Sequence, residues 1–245
     1  THGNLLSNYR SIAKVNVLKK EDVVMSLLPL HHTYPFMVTC LAPLLGGGTV
    51  CYLQSMVHHE LFARLKENKV TIFVGVPQMF SLLERSIADR MKKLGPLAHW
   101  STDRLIALCS GISRVSGRNI CKHLLKELHE TFGESLRLMT SGGAKLDPAV
   151  ARSFYRLGFE IIEGYGLTET SPVATFMPLR VARFDSVGKA LPDVEIKVAR
   201  PDESGSGEIA IKGPNVMLGY YRARKLTQQV LRDARAKFVA AFPSQ

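Results

Sequence analysis

Residues 136–170 read LRLMTSGGAKLDPAVARSFYRLGFEIIEGYGLTET, and they alternate two kinds of apolar pattern. Residues 136–140 and 159–162 are short apolar runs of strand length. Between them, Asp147 is placed to cap a helix whose apolar side chains recur at helical spacing until Gly158. A strand, a helix and a second strand in this order predict a βαβ unit, with both strands parallel in one sheet.

The same rhythm fills the preceding part of the chain. We predict strands at residues 22–28, 49–53 and 71–76, and helices at residues 34–45, 60–68 and 118–132. The predicted fold class is therefore α/β, with mostly parallel sheets flanked by helices.

The pattern changes in the last third of the chain. Residues 194–198 alternate apolar and polar side chains, and a turn-rich segment separates them from residues 208–212. This is typical of an antiparallel hairpin. We therefore predict three parts: an α/β portion at residues 1–180, a small antiparallel β subdomain at residues 181–221, and a divergent basic helical tail at residues 222–245.

Composition favours a folded globular protein. Hydrophobic residues make up 46% and charged residues 22% of the 245 residues, which excludes disordered and fibrous classes. The formal net charge is +11, but six basic residues and one acidic residue lie in the tail at 222–245. Because the remainder is only mildly basic and has no nucleic-acid-reading motif, we expect no nucleic-acid partner.

The cysteines and the apolar runs bear on the compartment. Cys40, Cys51, Cys109 and Cys121 are scattered among mostly apolar neighbours, which predicts buried thiols and a reducing, cytoplasmic location. No uncharged apolar run of helical type reaches 18 residues, so we expect no transmembrane segment. Peripheral membrane contact stays open.

Two loops are predicted at the carboxyl ends of neighbouring parallel strands, where open α/β sheets bind ligands. Residues 141–144 are small enough for a flat ring to lie against the backbone, and residues 163–170 contain Tyr165, Thr168 and Glu169. A planar base, a phosphate and a magnesium ion need such a stacking face, hydroxyl and carboxylate. The alternative is that the glycines only serve tight turns, and spacing alone leaves both interpretations open.

The segment GYGLTET at residues 164–170 resembles the signature of the AMP-forming, adenylate-forming enzymes, which include acyl-CoA synthetases. Other segments match the family pattern at its spacing: residues 1–5, 29–32, 141–144, 187–189, 207–209 and 217–221. The resemblance covers about nine-tenths of the chain. Residues 31–36 and 213–221 resemble the long- or medium-chain fatty acid branch in particular.

The resemblance implies a role for each matching residue. Tyr165 would pack on adenine, Thr168 would hydrogen-bond the α-phosphate, Glu169 would hold Mg²⁺, and His32 would lie near the acyl carboxylate and the path of coenzyme A. The implied catalytic residues are Thr168, Glu169 and His32. The implied nucleotide-binding residues are Ser141, Gly142, Gly143, Ala144, Glu163, Gly164, Tyr165, Gly166 and Thr168. The implied activity uses ATP, Mg²⁺, coenzyme A and a fatty acid or other carboxylic acid. ATP converts the acid to an acyl-adenylate, which carries AMP, and the acyl group is then transferred to coenzyme A.

Parts of the family pattern have no match in this sequence. A Ser/Thr/Gly-rich phosphate loop is expected ahead of Thr1, a T-G-D segment is expected where residues 234–245 read ARAKFVAAFPSQ, and a C-terminal domain with its lysine is expected after that. We therefore expect a fragment truncated at both ends. The alternative to a working ligase is a non-catalytic remnant that is inactive by itself. Acyl chain length and oligomeric state stay open.

Overall fold

The computed structural model describes most of the chain, namely residues 1–53, 58–92, 104, 106, 108–109, 111–112, 120–179, 181, 183–231 and 239–241. Its helices are α1 His2–Lys14, α2 Thr33–Pro35, a π-helical segment Phe36–Leu41, α3 Ala42–Leu45, α4 His58–Glu67, α5 Pro77–Lys92, α6 Ile120–Leu124, α7 Lys126–Phe132, α8 Pro148–Arg156, a 3₁₀ turn Thr168–Thr170 and α9 Arg224–Val230. Its strands are β1 Val23–Ser26, β2 Thr49–Tyr52, β3 Ile72–Gly75, β4 Leu138–Ser141, β5 Ile161–Gly166, β6 Val173–Phe176, β7 Lys189–Ala190, β8 Glu195–Ala199, β9 Glu208–Lys212 and β10 Val239–Ala241.

Seven strands form one mixed sheet in the order β2-β1-β3-β4-β5-β6-β7. The strands from β2 to β5 pair in parallel, and β6 and β7 continue the sheet in antiparallel fashion. A second sheet, β10-β9-β8, is antiparallel. The predicted fold class of mostly parallel sheet, flanking helices and a small antiparallel sheet is confirmed.

Helices cover both faces of the parallel sheet. Along β4, Leu138 packs into the core beneath α1 and the π-helical segment, whereas Met139 packs against α4, α5 and α8 on the opposite face. Val24 and Met25 of β1 divide in the same way. Successive strand residues point to opposite faces, so these strands read as continuous apolar runs rather than as alternating patterns.

A buried ion pair joins three strands at the edge of the sheet where the parallel strands begin. Arg137 donates to both carboxylate oxygens of Asp22, and Thr71 Oγ1 donates to Asp22 Oδ1 at 2.7 Å. Burial by itself raises the pKa of Asp22, but these hydrogen bonds and the one from the amide of Lys19 outweigh it and leave the pKa below its usual value. This cluster lies before β1, β3 and β4, away from their carboxyl ends.

The structure corrects several local expectations. Strand β5 continues to Gly166 instead of ending at residue 162, because β6 pairs with residues 164–166. The helix predicted at 118–132 is broken at Leu125 into α6 and α7, and residues 118–119 lie outside the described part. Helix α1 and strand β6 were not predicted.

The prediction of four buried thiols is wrong in part, because two of the cysteines are not thiols and the other two are not fully buried. Cys109 and Cys121 form a disulfide, which sequence spacing alone does not reveal. Cys40 and Cys51 are free but only half-buried, since Cys51 lies on β2 at the edge of the sheet.

Residues 222–245 contain helix α9 and strand β10, which pairs with β9. The division of the chain into these three parts, including a separate helical tail, stays a prediction.

Candidate functional site

A cavity of about 670 Å³ opens at the carboxyl ends of the parallel strands. The two predicted loops, residues 141–144 and 163–170, were expected to meet here, because open α/β sheets bind ligands at the carboxyl ends of their strands. Eight of the predicted site residues line it: His32, Gly143, Ala144, Gly164, Tyr165, Gly166, Thr168 and Glu169. The structure thus brings together residues that are up to 137 positions apart in the sequence.

Three predicted residues do not line the cavity. Ser141 is fully buried at the end of β4, and no described residue supplies a hydrogen-bond partner to its hydroxyl. Glu163 accepts a hydrogen bond from the backbone amide of Leu146 at 3.0 Å. Burial raises the pKa of Glu163 above its usual value, although this hydrogen bond and the charge of Lys145 oppose the rise. Gly142 lies behind the wall, against Tyr34.

Two glycines are required by close approach. A Cβ atom on Gly166 would lie 1.8 Å from the carbonyl oxygen of Pro172, so β5 and the chain before β6 pack backbone against backbone there. A Cβ atom on Gly142 would lie 2.6 Å from the ring of Tyr34. Burial raises the pKa of that tyrosine, whose hydroxyl is 3.5 Å from Thr140 Oγ1. These glycines therefore do more than form turns, because a side chain at either position would prevent the close packing of the residues around the cavity.

The 3₁₀ turn Thr168–Thr170 presents two polar side chains to the cavity. Thr170 holds the turn from within, since the amide of Leu167 donates to its hydroxyl at 2.9 Å and that hydroxyl reaches the carbonyl of Pro172 at 2.6 Å. Thr168 is exposed, and its hydroxyl is 3.4 Å from that of Thr33. Thr170 is buried in the protein, whereas Thr168 and Glu169 line the cavity. The hydrogen bonds of Thr170 therefore fix the turn that positions these two polar side chains.

Glu169 has a specific partner that the sequence did not predict. Tyr220 Oη donates a hydrogen bond to Glu169 Oε1 at 2.5 Å, and the amide of Met217 donates to the carbonyl of Glu169 at 2.8 Å. The hydrogen bond to Glu169, partial burial and the negative charge of that carboxylate together raise the pKa of Tyr220 to about 12. The hydroxyl is therefore protonated at neutral pH and serves as a donor.

Buried asparagines hold this region in place. Asn215 Nδ2 donates to the carbonyl of Thr170 at 2.9 Å, and Asn4 Nδ2 donates to the carbonyls on either side of Asn215, at 2.9 Å and 2.8 Å. Asn8 exchanges two hydrogen bonds with the backbone of Val173. The sequence did not predict a role for any of the three. The one signal in the sequence was Asn215 itself, because a polar amide between Pro214 and Val216 needs hydrogen-bond partners when it is buried.

His32 also lines the cavity, directly before Thr33, whose hydroxyl is 3.4 Å from that of Thr168. It is exposed at the start of α2, and its ring is 4.2 Å from that of His31, centroid to centroid. Tyr165 is half-buried, and burial raises the pKa of its phenol. A broad aromatic surface, an exposed imidazole, a hydroxyl and a carboxylate thus converge on one opening.

The donor set suits a magnesium–nucleotide complex. In the described part of the chain, no three His, Cys, Asp or Glu side chains come together as a metal site. Mg²⁺ bound with a nucleotide takes one or two carboxylates and completes its coordination with phosphate oxygens and water. Glu169, next to the Thr168 hydroxyl, fits that requirement.

The sequence model of one protein family, described as AMP-binding enzyme, matches residues 1–221. The chain belongs to this family. Long-chain-fatty-acid–CoA ligase 6 of Mus musculus is 30% identical over 94% of this chain and 35% of its own length. Feruloyl-CoA synthase of Amycolatopsis is 26% identical over 95% of this chain and 41% of its own length. The chain thus spans between about a third and two-fifths of the length of these curated relatives.

Solved structures of family members share the fold. The apo form of MatB from Rhodopseudomonas palustris superposes with a TM-score of 0.71 at 26% identity, covering 98% of this chain and 41% of MatB. O-succinylbenzoate coenzyme A synthetase of Bacillus subtilis, solved with ATP and magnesium, gives a TM-score of 0.70 at 21% identity over 98% of this chain and 42% of its own. None of the helices in the described part is both long and apolar enough to cross a bilayer.

Proposed function

We propose that this chain supplies the nucleotide- and acyl-binding part of an AMP-forming acid–thiol ligase. Such an enzyme joins a carboxylic acid to AMP, with release of pyrophosphate from ATP, and then transfers the acyl group to coenzyme A. The carrying observation is that the GYGLTE segment lines one wall of the cavity, with Tyr165 and Glu169 both at its surface. The names of the relatives, which are CoA ligases and synthetases, support the same reaction type.

The cavity residues divide into binding and charge-handling groups. Tyr165 packs on the adenine, and the small residues Gly143 and Ala144 border the nucleotide on its other side. The hydroxyl of Thr168 donates to the α-phosphate. His32, also at the cavity surface, contacts the incoming carboxylate and the thiol substrate. Ser141, Gly142 and Glu163 support the wall from behind.

The chemical difficulty is that a carboxylate must approach a phosphate of the same charge. Fixing both reactants in one cavity removes much of the entropic cost of their encounter. Glu169 would hold Mg²⁺, which when bound withdraws charge from the phosphate oxygens. Thr168 keeps a hydroxyl donor aimed at the same phosphate, so charge that develops on its oxygens meets a pre-oriented dipole.

A fatty acid is the proposed carboxylic substrate. The resemblance of residues 31–36 and 213–221 to the fatty acid branch supports this choice, as does the name of the mouse relative. The cytoplasmic location remains a prediction, and one relative from Arabidopsis thaliana is named as peroxisomal.

The test is fatty-acid-dependent exchange of pyrophosphate into ATP. It requires a polypeptide that joins residues 1–221 to a phosphate loop and a C-terminal domain of the family's kind. We expect exchange that Glu169→Ala abolishes and that Glu203→Ala, in the exposed β8–β9 turn, leaves unchanged. Undiminished exchange in Glu169→Ala would remove the role given to that carboxylate.

A second candidate function is nucleotide binding without catalysis. It is favoured by residues 1–245 themselves, which contain neither a Ser/Thr/Gly-rich phosphate loop nor a T-G-D segment. Loss of a single transition-state donor commonly lowers rates by about a hundredfold or more. We therefore expect no acyl-CoA formation by residues 1–245 expressed by themselves, and measurable turnover in a thioester assay would overturn this expectation.

A further inference from the structure

We infer that Tyr220 is a positioning residue that fixes the carboxylate of Glu169 for metal binding. This inference rests on the proposed function, because it gives Glu169 the metal. Tyr220 does not line the cavity, whereas Glu169 does, so the tyrosine acts through the glutamate and not on the ligand. Neither its sequence position nor its residue type pointed to this role.

The contact leaves the carboxylate usable. Tyr220 Oη donates a hydrogen bond to Glu169 Oε1 at 2.5 Å, and no described side chain forms a hydrogen bond with Glu169 Oε2. One carboxylate oxygen thus accepts a hydrogen bond from Tyr220, and the other is left to bind a metal ion. Carboxylates that bind metals through one oxygen are commonly held by a hydrogen bond to the other, which fixes their orientation.

Tyr220 is itself held on its far side by helix α9. Its amide donates to Thr227 Oγ1 at 2.9 Å, and that hydroxyl donates in turn to the carbonyl of Ala223 at 3.0 Å. The approach of Thr227 needs Gly219, where an added Cβ atom would lie 2.6 Å from the Thr227 methyl group. Tyr220 therefore links the two elements, since its backbone amide contacts α9 and its phenol contacts the 3₁₀ turn.

The backbone fixes the same geometry a second time. The amide of Met217 donates to the carbonyl of Glu169 at 2.8 Å, so the segment carrying Tyr220 runs alongside the turn that carries Glu169. Asn215 ties that segment to the carbonyl of Thr170, and its side chain is buried. The Met217 amide and the Asn215 side chain already hold this segment against the 3₁₀ turn. The hydroxyl of Tyr220 is therefore not needed for that attachment and can orient the carboxylate of Glu169.

The experiment uses the 245-residue chain, with Mn²⁺ as a paramagnetic probe in the presence of ATP, and AMP binding without metal as the second readout. Tyr220→Phe removes only the hydroxyl. We expect it to weaken Mn²⁺ binding about tenfold, within the range for partners of metal ligands, and to leave metal-free AMP binding unchanged. The matched control is Tyr221→Phe, whose side chain is exposed and should keep the wild-type affinity.

A double-mutant cycle separates orientation from a general structural effect. If Tyr220 acts through Glu169, the Tyr220→Phe change has no further effect on Mn²⁺ binding in a Glu169→Gln background. Wild-type Mn²⁺ affinity in Tyr220→Phe, or losses that multiply in the double variant, would overturn the inference while leaving the proposed function in place. A wild-type chain that binds neither AMP nor Mn²⁺ would overturn both.

A second variant covers the case in which Tyr220→Phe does not fold. Thr227→Val keeps the shape of the side chain but removes the acceptor for the Tyr220 amide. A loss of Mn²⁺ affinity with unchanged AMP affinity supports the positioning role, and wild-type Mn²⁺ affinity in this variant contradicts it. Melting temperatures of all variants show which of them are folded.

Discussion

Gly166 is the residue at which the signature segment and the fold depend on each other most directly. A methyl group there would overlap the carbonyl oxygen of Pro172, an atom of the backbone that cannot move aside cheaply. We expect Gly166→Ala to lower the free energy of unfolding by about 3 kcal/mol, at the upper end for overpacking. Chemical denaturation measures this.

The control for that substitution is Gly3→Ala. Gly3 lies in α1 with only an ordinary contact, 3.7 Å, to an added Cβ atom. There the change should be neutral or stabilising by up to about 1 kcal/mol, because alanine favours helix. Equal stability of the Gly166 and Gly3 variants would show that the strands can part without cost, contrary to the structure.

At the scale of single residues, the sequence singled out residues that line one cavity, but not the residues that support them. Tyr165, Thr168 and Glu169 lie in one contiguous segment, so a local pattern was enough to propose them as site residues. Tyr220 and Asn215 reach that segment from 45 positions or more away. Their roles depend on which backbone lies beside which, and no local pattern carries that information.

Among the secondary-structure elements, α8 offers a simple check of a prediction made from sequence. Asp147 was expected to cap this helix, and its side chain accepts from the amide of Ala149 at 2.7 Å. We expect Asp147→Ala to cost about 1 kcal/mol and Asp147→Asn to cost much less, since asparagine caps equally well. Identical denaturation midpoints for the wild type and the alanine variant would show that the cap does not contribute.

The attachment between β1, β3 and β4 predicts a pH dependence. The pKa of Asp22 is lowered in the folded state, so its contribution to stability is complete above the unfolded value of about 4. That contribution is lost as the pH falls through the lower folded value. Asp22→Asn should cost about 3 kcal/mol at neutral pH, as expected when one partner of a buried pair is removed.

Unfolding free energies measured from neutral to acidic pH test this account of Asp22. The variant should show a flatter acid dependence than the wild type. Glu67→Gln, which removes an exposed pair with Arg64, is the control and should cost less than about 1 kcal/mol. Parallel pH curves for wild type and Asp22→Asn would contradict the assignment.

The elements also show where sequence reasoning stopped. The parallel strands were predicted because burial on both faces leaves a continuous apolar run. The end of β5 was misplaced because its last residues include two glycines, which read as a loop, although a partner strand holds them extended. That partner, β6, has only four residues and follows a proline, so its sequence does not identify it as a strand. Its pairing with β5 in the folded protein does.

At the scale of the whole molecule, the chain forms a cavity of about 670 Å³ although it spans only 35% of the length of its mouse relative. The cavity is assembled from the carboxyl ends of the parallel strands and closed by the 3₁₀ turn, all inside the family match at residues 1–221. The net charge of +11 does not identify the partner, since the tail contributes a large share of it. The central claim is therefore that this cavity binds an adenine nucleotide.

Calorimetric titration of AMP into residues 1–245 tests that claim most directly. We expect saturable binding at one site, weakened about tenfold in Tyr165→Ala, because stacking of a base on an aromatic ring contributes about 1–3 kcal/mol. Tyr52→Ala, on the exposed edge strand away from the cavity, should bind like the wild type. Absence of saturable binding, or equal AMP affinity in Tyr165→Ala and the wild type, would contradict the account.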